Sequence, residues 1–205
     1  QILGLVPKTN IPNYSEFYEA RHFHKGNRKP VMEAVVMKSG VTDYVPMGTD
    51  LLFACANMEG LVIGAEICED VWVPNPPSNR HALAGATLIV NASASDENTG
   101  KDLYRRSLVE NQSARLVCGY IYADAGEGES TTDLVFAGHN LICENGTLLR
   151  ESERFTTGLI TADLDLERLR NERRRMTTFG PLDSEGYQRV AFTVRKAPLS
   201  LERFV

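Results

Sequence analysis

The sequence predicts a layered α/β domain of the α+β kind, and three observations carry the prediction. Strand-like runs recur along the chain, and several are apolar without alternation, as expected of strands covered on both faces. Segments with helical spacing and start signals interleave with them. Short turns join other runs as hairpins, so βαβ units mix with antiparallel pairs and an all-β barrel is disfavoured.

In chain order, "ILGLV" (2–6) opens as an apolar strand that runs into Pro7 and Lys8, and "SEFYEARHF" (15–23) can form two helical turns. "DLLFACAN" (50–57) and "LVIGAEI" (61–67), joined across "MEG", read as a hairpin that delivers Cys68 at its far end. "SNRHALAGA" (78–86) starts a helix with Ser78 as its cap, and "TLIVNAS" (87–93) is the next buried strand. "TGKDLYRRSLVENQSARLV" (99–117) is a long helix with Thr99 and Asp102 in capping-box spacing. "CGYIYADA" (118–125) and "DLVFAGHNLIC" (133–143) follow as strands, and the Asn-Gly pair of "ENGT" (144–147) turns the chain back. "GLITADL" (158–164) reads as a last strand before a helix that starts at Asp165. From Thr177 to Val205, scattered Gly and Pro with little periodicity read as an extended linker, which leaves residues 1–176 as one domain.

Composition narrows the function. With 42% apolar residues among 205, the chain can bury a core without disulfide or metal. A net charge of −5 argues against a nucleic-acid surface, which needs a positive field. The basic run Arg173, Arg174 and Arg175 closes a helix, where cations complement the macrodipole, so it reads as a solvated helix end. No run reaches the roughly 18 apolar residues of a membrane span, and no charged leader precedes a signal core. Cys55, Cys68, Cys118 and Cys143 are widely spaced without a CxxC pair, so neither a zinc site nor a disulfide framework is indicated; a reducing, cytoplasmic setting is expected. Because Gln1 is no initiator and a strand begins at once, the chain reads as a piece of a longer one.

Cys68 is the residue that raises a question. It sits where a strand ends in a loop, the place where α/β folds expose reacting groups, yet Glu66, Glu69 and Asp70 crowd it with charge that opposes a thiolate. Either it is an inert core thiol or a distant cation offsets the acids. His22, His24, His81 and His139 have no context that demands they face a thiol, and surface or core satisfaction suits each. Lys8 also stands at a strand end entering a loop. It is either a solvated lysine or the cation that offsets those acids and stabilises an oxyanion. "GEGES" (126–130) carries acids, lacks a Walker lysine and precedes a strand, so pocket formation or a domain contact suits it better than phosphate binding.

The runs "VPKTNIPNYSEFYEARHF", "GAEICEDVWVP", "NASASDENTGKDLYRR" and "YADAGEGESTTDLVFAGHNLICENG", in this order, resemble the glutamine-hydrolysing domain of glutamine-dependent NAD synthetases, a branch of the nitrilase (carbon-nitrogen hydrolase) superfamily. The resemblance covers about residues 2–176, and "GEGESTTDLVF" is its branch-specific part. It implies a nitrilase-like αββα sandwich and a Glu-Lys-Cys triad. Cys68 would attack the side-chain amide of L-glutamine and release ammonia through a glutamyl thioester, with Lys8 stabilising the oxyanion together with a backbone N–H beside Cys68. The family's general-base glutamate lies well before the lysine; only seven residues precede Lys8 here and none is acidic, so the resemblance implies that the amino-terminal part with the base is missing. Glu16 is expected to orient Lys8. Tyr14, Phe17 and Trp72 would line the pocket, while Ser95 and Lys101 would hold the substrate's α-amino and α-carboxylate groups and Ser93 is set aside.

The resemblance further implies a synthetase domain beyond Val205 that uses ATP and magnesium to amidate nicotinic acid adenine dinucleotide to NAD, in a homo-oligomer. No cofactor or metal is expected on this chain, and no nucleic acid or membrane partner. Two rival readings are a nitrilase-family amidase acting on another amide and a non-catalytic assembly module.

Overall fold

The computed structural model describes residues 1–129 and 134–195. Its centre is a seven-stranded mixed sheet in the order β8-β7-β6-β5-β4-β3-β9. The strands are β3 (Leu51–Cys55), β4 (Val62–Ile67), β5 (Leu88–Ser93), β6 (Gly119–Asp124), β7 (Leu141–Glu144), β8 (Thr147–Glu151) and β9 (Gln188–Phe192). β4, β5 and β6 run parallel at the centre, while β3–β4, β6–β7 and β7–β8 are antiparallel. A separate hairpin pairs β1 (Val31–Val36) with β2 (Thr42–Met47).

The helices α1 (Pro77–Leu83) and α2 (Lys101–Leu116) make the parallel crossovers and pack against the sheet, α1 on β4 and β5, α2 on β6, β7 and β8. On α2 the buried residues Arg105, Val109, Gln112, Ser113 and Leu116 recur at helical spacing, which gives one face to the core. That core joins Val109 and Leu116 to Leu52, Ile89, Tyr120, Tyr122 and Leu141. Each fully buried apolar side chain of this kind contributes about 1.5–3 kcal/mol.

Five expected strands appear in part or whole, and the MEG and Asn-Gly hairpins form as expected, with Asn145 and Gly146 both at positive φ. Other elements differ. Residues 2–6 make only an isolated bridge, Leu5 to Met47, because Pro7 removes a ladder donor just beyond it. Residues 15–23 contain one 3-10 turn, Glu19–Arg21, since so short a segment cannot repay helix nucleation. Residues 158–164 form no strand, and the 133–143 run is strand only from Leu141. Gly100, left-handed at φ 78°, caps α2 without a side-chain bond, so the expected Thr99 capping box is absent. Pro76 precedes α1, and Ser78 is buried inside it with its hydroxyl accepting from Gln112. α3 (Leu166–Arg175) starts as expected, with Asp165 accepting the Arg168 N–H. Within the stretch read as a linker, residues 188–192 are β9, which pairs parallel with β3. Ser130 to Asp133 of "GEGESTTDLVF", and residues 196–205, lie outside the described residues.

Candidate active site

Three parallel strands end side by side at one edge of the sheet, and the candidate site is built there. Cys68 follows β4, Ser93 and Ala94 close β5, and Asp124 closes β6 in register with Ser93. Neighbouring parallel strands bring residues remote in sequence to one line, which is why such edges carry sites.

Cys68 opens a single 3-10 turn, Cys68–Val71, and is itself left-handed at φ 48°. A β-carbon in that region is strained, and the strain has to be held by its surroundings. Asn91 does so: its Oδ1 accepts the Cys68 N–H at 2.8 Å and its Nδ2 donates to the Cys68 carbonyl at 3.4 Å and to the Tyr120 hydroxyl at 3.2 Å. Ser93 Oγ donates to the same Asn91 Oδ1 at 2.8 Å. The thiol is thus turned out of the strand line onto a rigid support.

Burial pushes the Cys68 thiol up, and the Ala94 N–H, the Lys8 ammonium and the Ser93 hydroxyl pull it back toward the thiolate, against Asp124. The three acids near Cys68 in sequence turn out to be engaged elsewhere. Glu66 is buried, with the Ser78 N–H on Oε2 at 2.8 Å and the Tyr120 hydroxyl on Oε1; burial raises it to about 7. Asp70 accepts from the backbone N–H groups of Ile67 (2.9 Å), Asn10 (2.7 Å) and Thr9 (3.3 Å), and from Asn10 Nδ2 at 2.9 Å. Glu69 accepts the Tyr14 hydroxyl at 2.9 Å. The acids are struts of the site, and Asp70 is the clamp that ties the Lys8 loop to the Cys68 turn.

The carboxylate that meets Lys8 is Glu19, at 3.1 Å, with the lysine side chain only 16% exposed. Among the described residues Glu16, expected to orient Lys8, makes no ion pair with it. The short 3-10 turn at Glu19–Arg21, in place of a longer helix, is what brings residue 19 to the lysine.

Of the expected pocket residues, Tyr14 and Phe17 stand edge to face with centroids 5.9 Å apart. Lys101 Nζ lies 5.4 Å from the Trp72 ring centroid and is ion-paired to Asp96. Ser95 is 3% exposed; its Oγ accepts from Arg105 Nη2 at 3.2 Å and its N–H donates to Asp124 Oδ1 at 2.9 Å. Lys101 and Ser95 are thus held by protein partners. Asn91, Asp124 and Glu19 were not legible as site residues, and Ser93, set aside on sequence, is drawn in by its bond to Asn91. Asp124, pushed up to about 6 by burial, leaves its buried Oδ2 without a hydrogen bond. The strand-end segment "NASAS" was the one available signal, since two parallel neighbours ending together place their last residues at one edge.

A cysteine with strained backbone at the C-terminal ends of three parallel strands, its thiol favoured toward the thiolate by an ammonium charge, can form and break an acyl thioester. A family model for carbon-nitrogen hydrolases matches residues 5–174. The chain belongs to the carbon-nitrogen hydrolase family. Within that family it is 50% identical over 180 residues to the glutamine-dependent NAD(+) synthetase of Mycobacterium tuberculosis, spanning 87% of this chain and 26% of the relative. The enzyme so named from Thermotoga maritima is 30% identical over 169 residues, 82% of this chain and 25% of the relative. This carbon-nitrogen hydrolase chain thus spans about a quarter of the length of the curated relatives it matches. Among solved structures, the glutamine-dependent NAD(+) synthetase from Cytophaga hutchinsonii superposes with a TM-score of 0.58 at 32% identity, covering 74% of this chain and 23% of that one. A nitrilase-superfamily amidase from Nesterenkonia superposes at 0.53 with 19% identity, over 83% of this chain and 54% of that one, which speaks to fold alone. The expected nitrilase-like fold is therefore the fold; the described residues form a helix-covered seven-stranded sheet and a separate two-stranded one.

Proposed function

We propose that this chain is the glutaminase part of a glutamine-dependent NAD synthetase. Cys68 Sγ forms a bond to the side-chain amide carbon of glutamine, the C–N bond breaks, and the nitrogen leaves as ammonia after gaining a proton. Water then cleaves the thioester to glutamate and restores the thiol. Lys8, held by Glu19, supplies positive charge at the developing oxyanion, where fixed charge in a water-poor site is most effective. The Cys68 N–H itself is committed to Asn91, so the second oxyanion donor would be the backbone N–H of a neighbouring residue. Tyr14 and Phe17, together with Trp72 and Lys101, border the approach to the thiol. A synthetase part of the same polypeptide, loaded with ATP and magnesium, would consume the ammonia in amidating nicotinic acid adenine dinucleotide. The four free cysteines suit a reducing cytoplasm.

The observation that carries this reading is the left-handed Cys68 at the end of parallel strands, its thiol drawn toward the thiolate by the Lys8 charge, in a chain 50% identical to relatives of that name. In the full-length protein, Cys68→Ala should abolish NAD formation from glutamine and leave formation from free ammonia intact. Unchanged glutamine use would remove the catalytic role, and hydrolysis of other amides but not glutamine would favour a general amidase.

Among the described residues no carboxylate hydrogen-bonds Cys68, so the described part carries a nucleophile and a cation for the oxyanion but no carboxylate bonded to the thiol. The chain by itself should be alkylated by a reactive amide analogue yet turn over little glutamine. Multiple turnover by the purified chain would contradict this.

A further inference from the structure

At the edge of the sheet opposite Cys68, where β4 and β5 begin, lies a cavity of about 490 Å³ that amide hydrolysis does not use. Four guanidiniums line it in a chain whose net charge is −5. Arg170 is the one with a carboxylate, Glu59 at 2.7 Å. Arg173 instead donates to the carbonyls of Leu116 (2.8 Å) and Val117 (3.0 Å) and stacks 4.8 Å from the Phe179 centroid. Arg189 donates to the Ala84 carbonyl at 2.8 Å, and Arg174 to Asn171. Among the described residues, these three cations meet no carboxylate. The expected solvated helix end is thereby corrected for Arg173, which folds back onto the domain.

Burial pushes the Arg173 guanidinium down without discharging it, since arginine stays protonated in proteins. A half-buried cation without a counter-charge is costly, and an anion in the cavity would offset that cost. Two glycines shape the wall. A Cβ at Gly60 would stand 2.7 Å from Arg170 Cδ, and one at Gly85 2.9 Å from Arg189 Nη2, with φ at +87° and +107°. The positive φ favours glycine at both positions, and a side chain at either would also displace the arginine beside it.

We propose that this cavity binds a phosphate monoester carried on an aromatic or apolar body. Three uncompensated guanidiniums match the charge and the three free oxygens of a phosphate group better than a single carboxylate. Phe179 and Leu182 offer the body an apolar wall, and a cavity of this volume lies in the range of small-molecule sites. The site is independent of the thiol chemistry.

Isothermal titration calorimetry of the protein with phenyl phosphate, phenol and inorganic phosphate at low salt tests the proposal. Phenyl phosphate should bind, phenol should not, and inorganic phosphate should bind at least about tenfold more weakly. Arg174→Gln, whose guanidinium hydrogen-bonds the Asn171 side chain, should weaken phenyl phosphate about tenfold with an unchanged melting temperature, and Arg189→Gln, which also gives up the bond to the Ala84 carbonyl, should weaken it by a similar factor. Absence of phenyl phosphate binding at millimolar concentration overturns the proposal, as does phenol binding equally well. Inorganic phosphate binding as tightly as the ester, or an affinity indifferent to both variants, would leave an adventitious anion only and overturn it too.

Discussion

Replacing Glu66 with glutamine should make the protein more stable at neutral and alkaline pH. Glu66 is 2% exposed at the end of β4, and burial raises its carboxyl from 4.5 to about 7 despite bonds from Tyr120 and Ser78. Between those two values the folded chain holds a proton that the unfolded chain releases. The stabilisation is complete below 4.5 and is lost as pH rises through about 7. At about 1.36 kcal/mol for each pH unit, the gap amounts to roughly 3 kcal/mol. The neutral glutamine escapes this loss, so from pH 4.5 to pH 8 the variant should gain about 3 kcal/mol on the parent, or roughly 6–12 °C in midpoint for a chain of this size.

Urea and thermal unfolding followed by circular dichroism at several pH values would measure the gain. The difference between the two proteins is the useful quantity, because other groups titrate as well. Asp124, raised to about 6, acts with the same sign as Glu66. His81, bonded to Tyr187 and the Ala65 carbonyl, is lowered by burial to about 4, so its contribution is lost as pH falls through that value. A variant whose advantage over the parent is the same at pH 4.5 and pH 8 would refute a buried, proton-holding Glu66.

Further predictions concern the thiol and its support. Lys8→Met should raise the pKa of Cys68 and slow its alkylation by iodoacetamide at neutral pH, about tenfold for each unit of rise, whereas Asp124→Asn should accelerate it; the pH dependence of the alkylation rate reports both. Asp70→Ala strips four donors of their acceptor, so a loss of about 3 kcal/mol or more is expected, with faster hydrogen exchange at Thr9 and Asn10; unchanged exchange there would show that the clamp is idle. Asn91→Ala should cost roughly 2–3 kcal/mol in urea unfolding, because the buried Tyr120 hydroxyl and the Cys68 N–H lose their shared partner.

The sequence by itself determined the central strands, the two hairpins and the long helix, because buried apolar runs and Asn-Gly turns are set by local pattern. It also singled out Cys68 and Lys8, since both stand at the end of an apolar run. Local pattern could not reveal β1 and β2, whose strands are mostly exposed and polar-interrupted, or β9, which is a strand only because β3 offers it an edge. Nor could it tell Glu19 from Glu16 as the partner of Lys8, a choice made by how the chain folds back after Tyr18. Only the tertiary structure decided that the acids around Cys68 serve as struts, that Asn91 and Asp124 join the site, and that the arginines of α3 enclose a cavity. Each of these depends on a contact between residues far apart in the chain, and the direction of a side chain across such a distance is fixed by packing.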